Sequence, residues 1–588
     1  MDQYEDFCGH PIEDAEVTAD AAAEDTGLPS GFRYAADGWI EYQATSSKGN
    51  AVWERLCSQI SFVAFTRDHS SQSWGRLLVV VDRDGCEHRW VLPNRLLSGD
   101  GHEYRRPLLD MGLQLAPGRQ IKGKLDELLN RASPSKSVIC VDRLGWHGDS
   151  YVLADRTLTS GTEVLVYQGG ISSSSHLRCS GTLEDWKTLV AEPCEESSRI
   201  VFALSVAFAG PLLYVSGHEG GGIHLRGASS TGKTTALLMA GSVWGGGSVN
   251  GNICTWRGTA NGLEAVAAEH CDGFLGLDEI SQISPDQAAE TAYMLANGQG
   301  KVRASREGTV RTAASWRLVF LSTGEISLQD KMLEGRLRSV AGQEVRVLDL
   351  PADAGQGLGI FDAIPDGMTA GKFAEQLALS AKSHYGVAGV TFLENLVQRR
   401  DEANAMVTSI VDRFVQEHVS GTCGQVHRAA RRFGLIAAAG ELAISWEILP
   451  YVPGRAYAAA SRCFEDWLET SDVERAIDAL RKFIALHGDS RFQVFYEPPG
   501  RVVYNRAGFR DGDVFLIYPT IWNEEIFPGF DVRVVNAELV KRRVLTVDGA
   551  GKPQVGQRLP GSTKVTRMYE VHLNALMGSE DGPEDNGL

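Results

Sequence analysis

The chain has 588 residues, 43% hydrophobic and 22% charged, with a net charge of −18 at pH 7. That length outruns a single core and predicts roughly three to five folded units of ordinary globular composition. Its ten cysteines include no Cys-x-x-Cys pair, which argues against a zinc ribbon or disulfide framework and suits a reducing cytoplasm. The acidic start does not read as a secretory signal. The most apolar run, Ile200 to Val215, is too short for a membrane span and contains Gly210-Pro211, so it reads as a buried helix.

Residues 1–32 carry nine acids and no Lys or Arg, so residues 1–35 are expected to be a solvated, disordered leader. Residues 36–199 read as an α+β region. Leu77–Val81 is a strand, Asp84-Gly85 a hairpin turn into Arg89-Trp90-Val91, and Asp126–Arg131 a helix. Val138–Tyr151 reads as strand around Gly145-Trp146, and Glu184–Tyr214 as mostly helix. Residues 218–350 alternate apolar strands with helical segments, the pattern of a mainly parallel sheet with flanking helices. Residues 370–470 are helical, with Met406, Ile410 and Phe414 on one face. Residues 471–576 run from a helix (Glu474–Leu486) through a strand (Val514–Tyr518) and a second helix (Asn536–Arg543) to a ribbon turning at Asp548-Gly549. That order suggests a winged-helix-like unit. Residues 577–588 form an acidic tail. The fold class expected is therefore multidomain α/β.

The chemistry concentrates in the third unit. Ile223-His224-Leu225-Arg226 reads as a strand, Gly227-Ala228-Ser229-Ser230-Thr231-Gly232-Lys233-Thr234 follows, and Thr235 opens a helical run. This is G-x-x-x-x-G-K-[ST] between a strand and a helix, the phosphate-binding P-loop. Its glycines let successive N–H groups turn toward phosphate oxygens, and the helix start adds a positive end. Gly227, Ser229, Ser230, Thr231, Gly232, Lys233, Thr234 and Thr235 are thus candidate nucleotide contacts. Lys233 would reach the β- and γ-phosphates and Thr234 a Mg²⁺ ion. Forty-four residues after Thr234, the apolar run Phe274–Leu277 ends in Asp278-Glu279. Asp278 would hold the Mg²⁺ through water, and Glu279 would polarise the attacking water. Another apolar strand, Trp316–Leu321, ends in Ser322-Thr323, candidates to bind that water or the γ-phosphate. Arg336, Arg338 and Arg346 follow, and Arg346 is the preferred arginine finger toward a neighbouring subunit's nucleotide.

The motifs Trp256-Arg257-Gly258-Thr259-Ala260-Asn261-Gly262-Leu263-Glu264, Leu277–Ile280, Tyr293–Lys301 and Leu321–Glu325 resemble a family of phages and integrative elements. That family is called domain of unknown function 927 and labelled superfamily II helicase and inactivated derivatives. The likeness runs from about Trp53 to the C-terminal unit. The family is similar in turn to MCM-like AAA+ helicases, hexameric ring motors on DNA. The resemblance implies an AAA+ core at 200–369, a helical lid at 370–470 carrying a second nucleotide sensor at Arg431, and ATP with Mg²⁺. It also implies a pore hairpin between Lys301 and Arg317, a stretch with five bases and one acid. Lys301, Arg303, Arg306 and Arg311 would line the pore, with Arg306 at the tip. In the C-terminal unit, Asn536–Arg567 holds seven bases against two acids, a net of +5. Lys541, Arg542 and Arg543 are candidates there for duplex DNA. Two departures stand out: little room for MCM's extra insertion between Leu263 and Phe274, and no zinc-binding set before the motor. The function implied is an ATP-dependent DNA helicase or translocase of a mobile element, a cytoplasmic homo-hexamer with no membrane association. The alternative is an AAA+ ATPase that remodels or loads protein without touching DNA.

Overall fold

β-branched and aromatic runs separated by turn residues build three sheets ahead of the glycine-rich loop 227–232. The computed structural model describes residues 27–46, 48–168, 177–246, 251–301, 303–304, 310–311, 313–334, 346–419, 424–495, 503–528, 530, 532–560 and 564–577. Strands β1 (Phe32–Tyr34), β2 (Ile40–Thr45) and β3 (Ala51–Cys57) form an antiparallel meander. Strands β4 (Ile60–Arg67), β5 (Gly75–Val81) and β6 (Glu87–Pro93) form a second, to which β7 (Ser137–Val141) and β11 (Leu165–Tyr167) add in parallel, in the order β11-β7-β4-β5-β6. In β4 every second residue from Ile60 is buried, the two-residue period of a pleated strand with one face on the core. Helices α1 (His102–Asp110) and α2 (Ile121–Arg131) lay Tyr104, Leu108, Leu125 and Leu129 on that core. The expected leader ends earlier than residue 35, because β1 already contributes Phe32 to the core.

The strand expected across Val138–Tyr151 is three: β7, β8 (Gly145–His147) and β9 (Ser150–Val152), with β10 (Thr157–Thr159) pairing β9. Gly145 at φ 89° turns the chain between them. The β8–β9 hairpin docks on the next unit through Asp272, which has no accessible surface. Its carboxylate accepts the Trp146 N–H (2.9 Å) and takes Arg317 Nε (2.5 Å) and Nη2 (2.8 Å), while its backbone carbonyl accepts the Tyr151 hydroxyl (2.8 Å). The Trp146 ring stacks on Tyr214 with centroids 5.8 Å apart.

Helix α3 (Ser198–Ala209) is apolar all round and almost wholly buried, as a helix between layers must be. It gives way at Gly210 to α4 (Leu212–Ser216), where a Cβ would lie 2.1 Å from the Gly273 carbonyl oxygen. Next come β12 (Gly221–Arg226), α5 (Lys233–Ser242), β13 (Ile253–Thr255), α6 (Ala260–Glu269), β14 (Gly273–Asp278), α7 (Pro285–Asn297), the short hairpin β15 (Arg303–Ala304) and β16 (Val310–Arg311), β17 (Leu318–Gly324), α8 (Leu328–Glu334) and β18 (Val347–Pro351). The expected parallel sheet is present in the order β13-β14-β17-β12-β18, every pair parallel. β17 is buried along its whole length, the signature of a strand covered on both faces. One face packs on α3 and α5 and the other on α6 and α7.

Helices α9 (Ala370–Ser383), α10 (Val387–Gln398), α11 (Arg400–His418) and α12 (Gly424–Ser445) close over α3 and share its core. That shared core crosses the expected boundaries at 199/200 and 369/370. Helix α13 (Arg455–His487) is one continuous element, so the boundary expected at 470/471 falls inside a helix rather than in a linker. The buried carboxylate of Glu441 accepts the N–H groups of Gly454 and Tyr457 at its start, where the helix dipole favours negative charge.

The C-terminal unit holds β19 (Phe492–Val494), β20 (Gly508–Asp511), β21 (Val514–Ile517), a helical stretch Pro519–Ile526, α14 (Val532–Lys541), β22 (Val555–Arg558), β23 (Val565–His572) and α15 (Leu573–Met577). Its sheet runs β19-β20-β21-β23-β22. The ribbon β22–β23 turns between residues 558 and 565. Asp548 instead nucleates a separate turn, its carboxylate accepting the N–H groups of Ala550 and Lys552. Among the described residues no helix is long and apolar enough to cross a membrane.

Candidate active site

In a parallel sheet the carboxyl ends of all strands point to one edge, and ligands collect there. The register pairs Leu225 with Thr323 and Leu277 with Ser322. The ends of β12, β14 and β17, together with the loop 227–232, therefore meet at that edge. Ser230 (φ 64°) and Gly232 (φ 93°) both take the left-handed conformation that bends the loop back on itself. At Gly232 any Cβ would sit 2.5 Å from Ile360 Cγ2, so only glycine fits beneath the strap 354–360. That strap donates the Ile360 N–H to the Thr231 carbonyl (2.8 Å). Gly227 donates its N–H to the Gly324 carbonyl (3.2 Å), joining the loop to the end of β17.

Lys233 opens α5, is 8% exposed, and points its Nζ back at the loop, 2.7 Å from both the Gly227 and Ala228 carbonyls. Thr234 is exposed at the mouth and Thr235 is buried behind it. Thr231 Oγ1 donates to the Ala228 carbonyl, and Ser229 lies exposed on the outside of the bend. Across the edge, Asp278 Oδ1 accepts the Thr323 hydroxyl (2.5 Å), and Thr323 Oγ1 accepts the Glu279 N–H (3.1 Å). Glu279 sits at φ 57°, a conformation that costs a non-glycine residue about 1–3 kcal/mol and collects at functional sites. Thr323 therefore faces the acidic pair. Ser322, one residue earlier, points to the opposite face of the strand, where Trp256 and His224 hold its hydroxyl.

Hard oxygen donors such as Thr234 and Asp278 suit Mg²⁺, which usually keeps waters and phosphate oxygens among its ligands. Among the described residues no group of three or more His, Cys, Asp or Glu side chains is arranged to hold a metal. Thr234 and Asp278 are the oxygen donors at this edge that would suit a Mg²⁺ ion.

Other expected residues lie elsewhere. Arg346 precedes β18 at the opposite edge of the sheet, its guanidinium 4.4 Å above the Tyr293 ring and its carbonyl accepting the Gly222 N–H. Six residues of β12 separate the two edges, about 20 Å, so its side chain does not reach the loop 227–232 of its own chain. Arg431 is not brought to the phosphate loop. α12 packs along α3, which leaves this arginine at the far edge with Nη2 3.5 Å from His218 Nε2. Its neighbour Arg432 is the buried one, donating to the Gly220 carbonyl (2.9 Å) and the Arg346 carbonyl (3.1 Å), and burial lowers its pKa to about 10. Lys301 pairs with Glu290 (2.9 Å). Arg303 and Arg311 are partners in the backbone register of the β15–β16 hairpin, while Arg306, Arg336 and Arg338 lie outside the described residues. Lys541 ends α14, and Arg542 and Arg543 follow it in a turn; Arg542 Nε is 2.9 Å and Lys541 Nζ 3.8 Å from Glu538. These bases also complement the helix's negative end.

Sequence reasoning passed over His224, Trp256 and Arg432. A histidine between Ile223 and Leu225, in a strand expected to be covered on both faces, was the available signal.

The family described as Domain of unknown function (DUF927) matches residues 32–315, beginning some twenty residues before the likeness expected from Trp53. No curated protein matches the chain. The fold is similar to a solved structure of SCCmec type IV Cch, described as an active helicase, with a TM-score of 0.61 and 17% identity over 94% of this chain and 99% of that one. NtrX from Brucella abortus, solved with ADP and with ATP, matches at TM-scores of only 0.18 and 0.17. It is 14% and 13% identical, covers 46% and 47% of this chain, and is itself covered over 52% and 60%.

Proposed function

We propose that the chain is an ATP-driven motor of the AAA+ class acting on DNA, an MCM-like helicase or translocase of a mobile element. One observation carries the reading: the loop Gly227–Thr234, the acidic pair Asp278-Glu279 and Thr323 converge on one edge of a parallel sheet. Lys233 leaves its loop carbonyls for the β- and γ-phosphates, and Thr234 and Asp278 hold the Mg²⁺ that accompanies the nucleotide. Glu279 orients the attacking water and accepts its proton, and Thr323 keeps the acidic pair aligned. The sheet order, with the phosphate-loop strand β12 between β17 and β18, supports the AAA+ assignment. Arg346, out of reach of its own site, would then serve a neighbouring copy in a ring, which favours a homo-hexamer. In the C-terminal unit the order β21-β23-β22, with two helical segments between β21 and β22, supports a winged helix. Its DNA contacts would be Lys541, Arg542 and Arg543, and the pore contacts Lys301, Arg303, Arg306 and Arg311.

ATP hydrolysis with and without single-stranded DNA tests this. Lys233→Ala should abolish turnover. Glu279→Gln should bind ATP and slow hydrolysis by about 10²–10⁴-fold, the usual contribution of a positioned general base. Turnover that survives Lys233→Ala refutes the site. Arg306→Ala separates motor on DNA from protein remodeller: loss of DNA stimulation with basal hydrolysis intact supports the first, and hydrolysis that DNA stimulates in neither parent nor variant supports the second.

A further inference from the structure

Behind the candidate active site runs a chain of four hydrogen-bonding groups that the roles above leave unused. Trp256 Nε1 lies 2.8 Å from Ser322 Oγ, Ser322 Oγ lies 2.9 Å from His224 Nδ1, and His224 Nε2 lies 3.0 Å from the Ile326 carbonyl oxygen. His224 and Ser322 have no accessible surface, and Trp256 has 1%.

The direction of every bond is forced. An indole nitrogen only donates and a carbonyl only accepts, so Ser322 receives from Trp256 and His224 Nε2 carries the proton given to Ile326. The ring is neutral, since burial pushes its pKa down to about 4. Nδ1 is therefore an acceptor, and the single Ser322 proton goes to it. Each group is satisfied in one arrangement only. Asp349, the carboxylate 4.0 Å from Nε2, is already paired with Arg226 at 2.8 Å.

The two ends of this chain are the ends of the site. Trp256 also donates its backbone N–H to the Asp278 carbonyl (3.2 Å), so it grips the strand of the acidic pair. Ile326 immediately precedes Ser327, which opens α8 through reciprocal bonds with Asp330, the capping-box arrangement. Lys331 of α8 donates to the Ser281 carbonyl, two residues after Glu279. The corner is tight: a Cβ at Gly324 would lie 2.5 Å from Ile280 Cγ2 and 3.0 Å from His224 Cε1.

We propose that His224 is a positioning residue which, through Ile326, fixes the corner between β17 and α8 and so holds Thr323 on the acidic pair Asp278-Glu279. The proposal rests on nucleotide hydrolysis at this site. His224 touches no reacting atom, so its loss changes turnover and leaves nucleotide binding at the phosphate loop alone.

Three substitutions separate the two bonds. Asn places its amide near Nδ1, so His224→Asn keeps the Ser322 link and drops Ile326. Gln places its amide near Nε2, so His224→Gln keeps Ile326 and drops Ser322. His224→Phe removes both. Purified full-length variants are compared for ATP kcat and KM, for affinity toward ATP with Mg²⁺, and for thermal midpoint. His224→Asn and His224→Phe should lose about 10–100-fold in kcat, as supporting partners of a site commonly do, with ATP affinity unchanged. His224→Gln should recover most of the loss. The proposal is overturned if Gln fares no better than Phe, if affinity falls together with kcat, or if all three turn over like the parent. A parent protein that neither binds nor hydrolyses ATP would instead strike at the proposed function itself.

Discussion

Replacing Arg317 tests whether the N-terminal hairpin is keyed to the sheet by charge. Arg317→Ala leaves the Asp272 carboxylate, which has no accessible surface, facing only the Trp146 N–H and the Cys271 thiol. Breaking a buried pair from one side costs about 3–5 kcal/mol. Asp272→Ala is milder on the charge, because the Arg317 side chain is 34% exposed and can turn to water. It still orphans the Trp146 N–H, so about 3 kcal/mol is expected, the upper end of the usual cost of an unsatisfied buried group. The double variant removes the stranded carboxylate and should cost no more than Asp272→Ala alone. Amide hydrogen exchange in β8 and β9 reads this as local opening. At about 1.4 kcal/mol per decade, Arg317→Ala should exchange roughly 10²–10³ times faster than the parent, and the double variant should be slower than Arg317→Ala. Additive single effects would refute the reasoning, since groups that do not interact show no coupling.

The neutral His224 should make itself felt in acid. Its pKa, lowered by burial to about 4, lies below that of the unfolded chain, near 6.5. The unfolded state therefore takes the proton first, and stability is lost as pH falls from about 6.5 toward 4, by up to roughly 3 kcal/mol. His224→Gln should flatten that part of a urea-midpoint profile, and parallel profiles would contradict the assignment. Gly210→Ala puts a methyl against backbone, 2.1 Å from the Gly273 carbonyl oxygen; a loss of about 1–3 kcal/mol is expected from overpacking, and an unchanged melting midpoint would show that α3 can shift. Arg431→Ala should leave ATP affinity within about twofold, below the ~1.4 kcal/mol of a tenfold change, and a tenfold loss measured by titration would return this residue to the nucleotide.

The parallel sheet, its glycine-rich loop and the acidic strand end were legible because each follows from a local pattern, apolar runs punctuated by glycine or by paired acids. What sequence could not supply was direction. Ser322 and Thr323 stood as equals until the pleat assigned Thr323 to Asp278 and turned Ser322 toward His224. Arg431 and Arg432 likewise differ by one helical position, 100° around α12, which buries one and leaves the other beside His218. The broken strand at 138–151 and the unbroken α13 erred in opposite directions. Gly145 interrupts an apolar run that propensity alone would continue. In α13 no glycine or proline interrupts the helix near 470, and it runs on from one core at Trp467 to the next at Ala476.

That continuity has a mechanical consequence. Thirty-three residues at 1.5 Å each make a shaft about 50 Å long, anchored about a third of the way along by Arg199, whose buried guanidinium reaches Asp466 at 2.5 Å and the Pro351 carbonyl at 2.9 Å. Pro351 ends β18, beside the strand that feeds the phosphate loop. Since a helix resists bending, a tilt of about 10° at Asp466 would sweep the far end, about 32 Å away, through roughly 5–6 Å. A small tilt at the sheet would thus be lengthened along α13 toward the C-terminal unit, because the helix runs unbroken between the two.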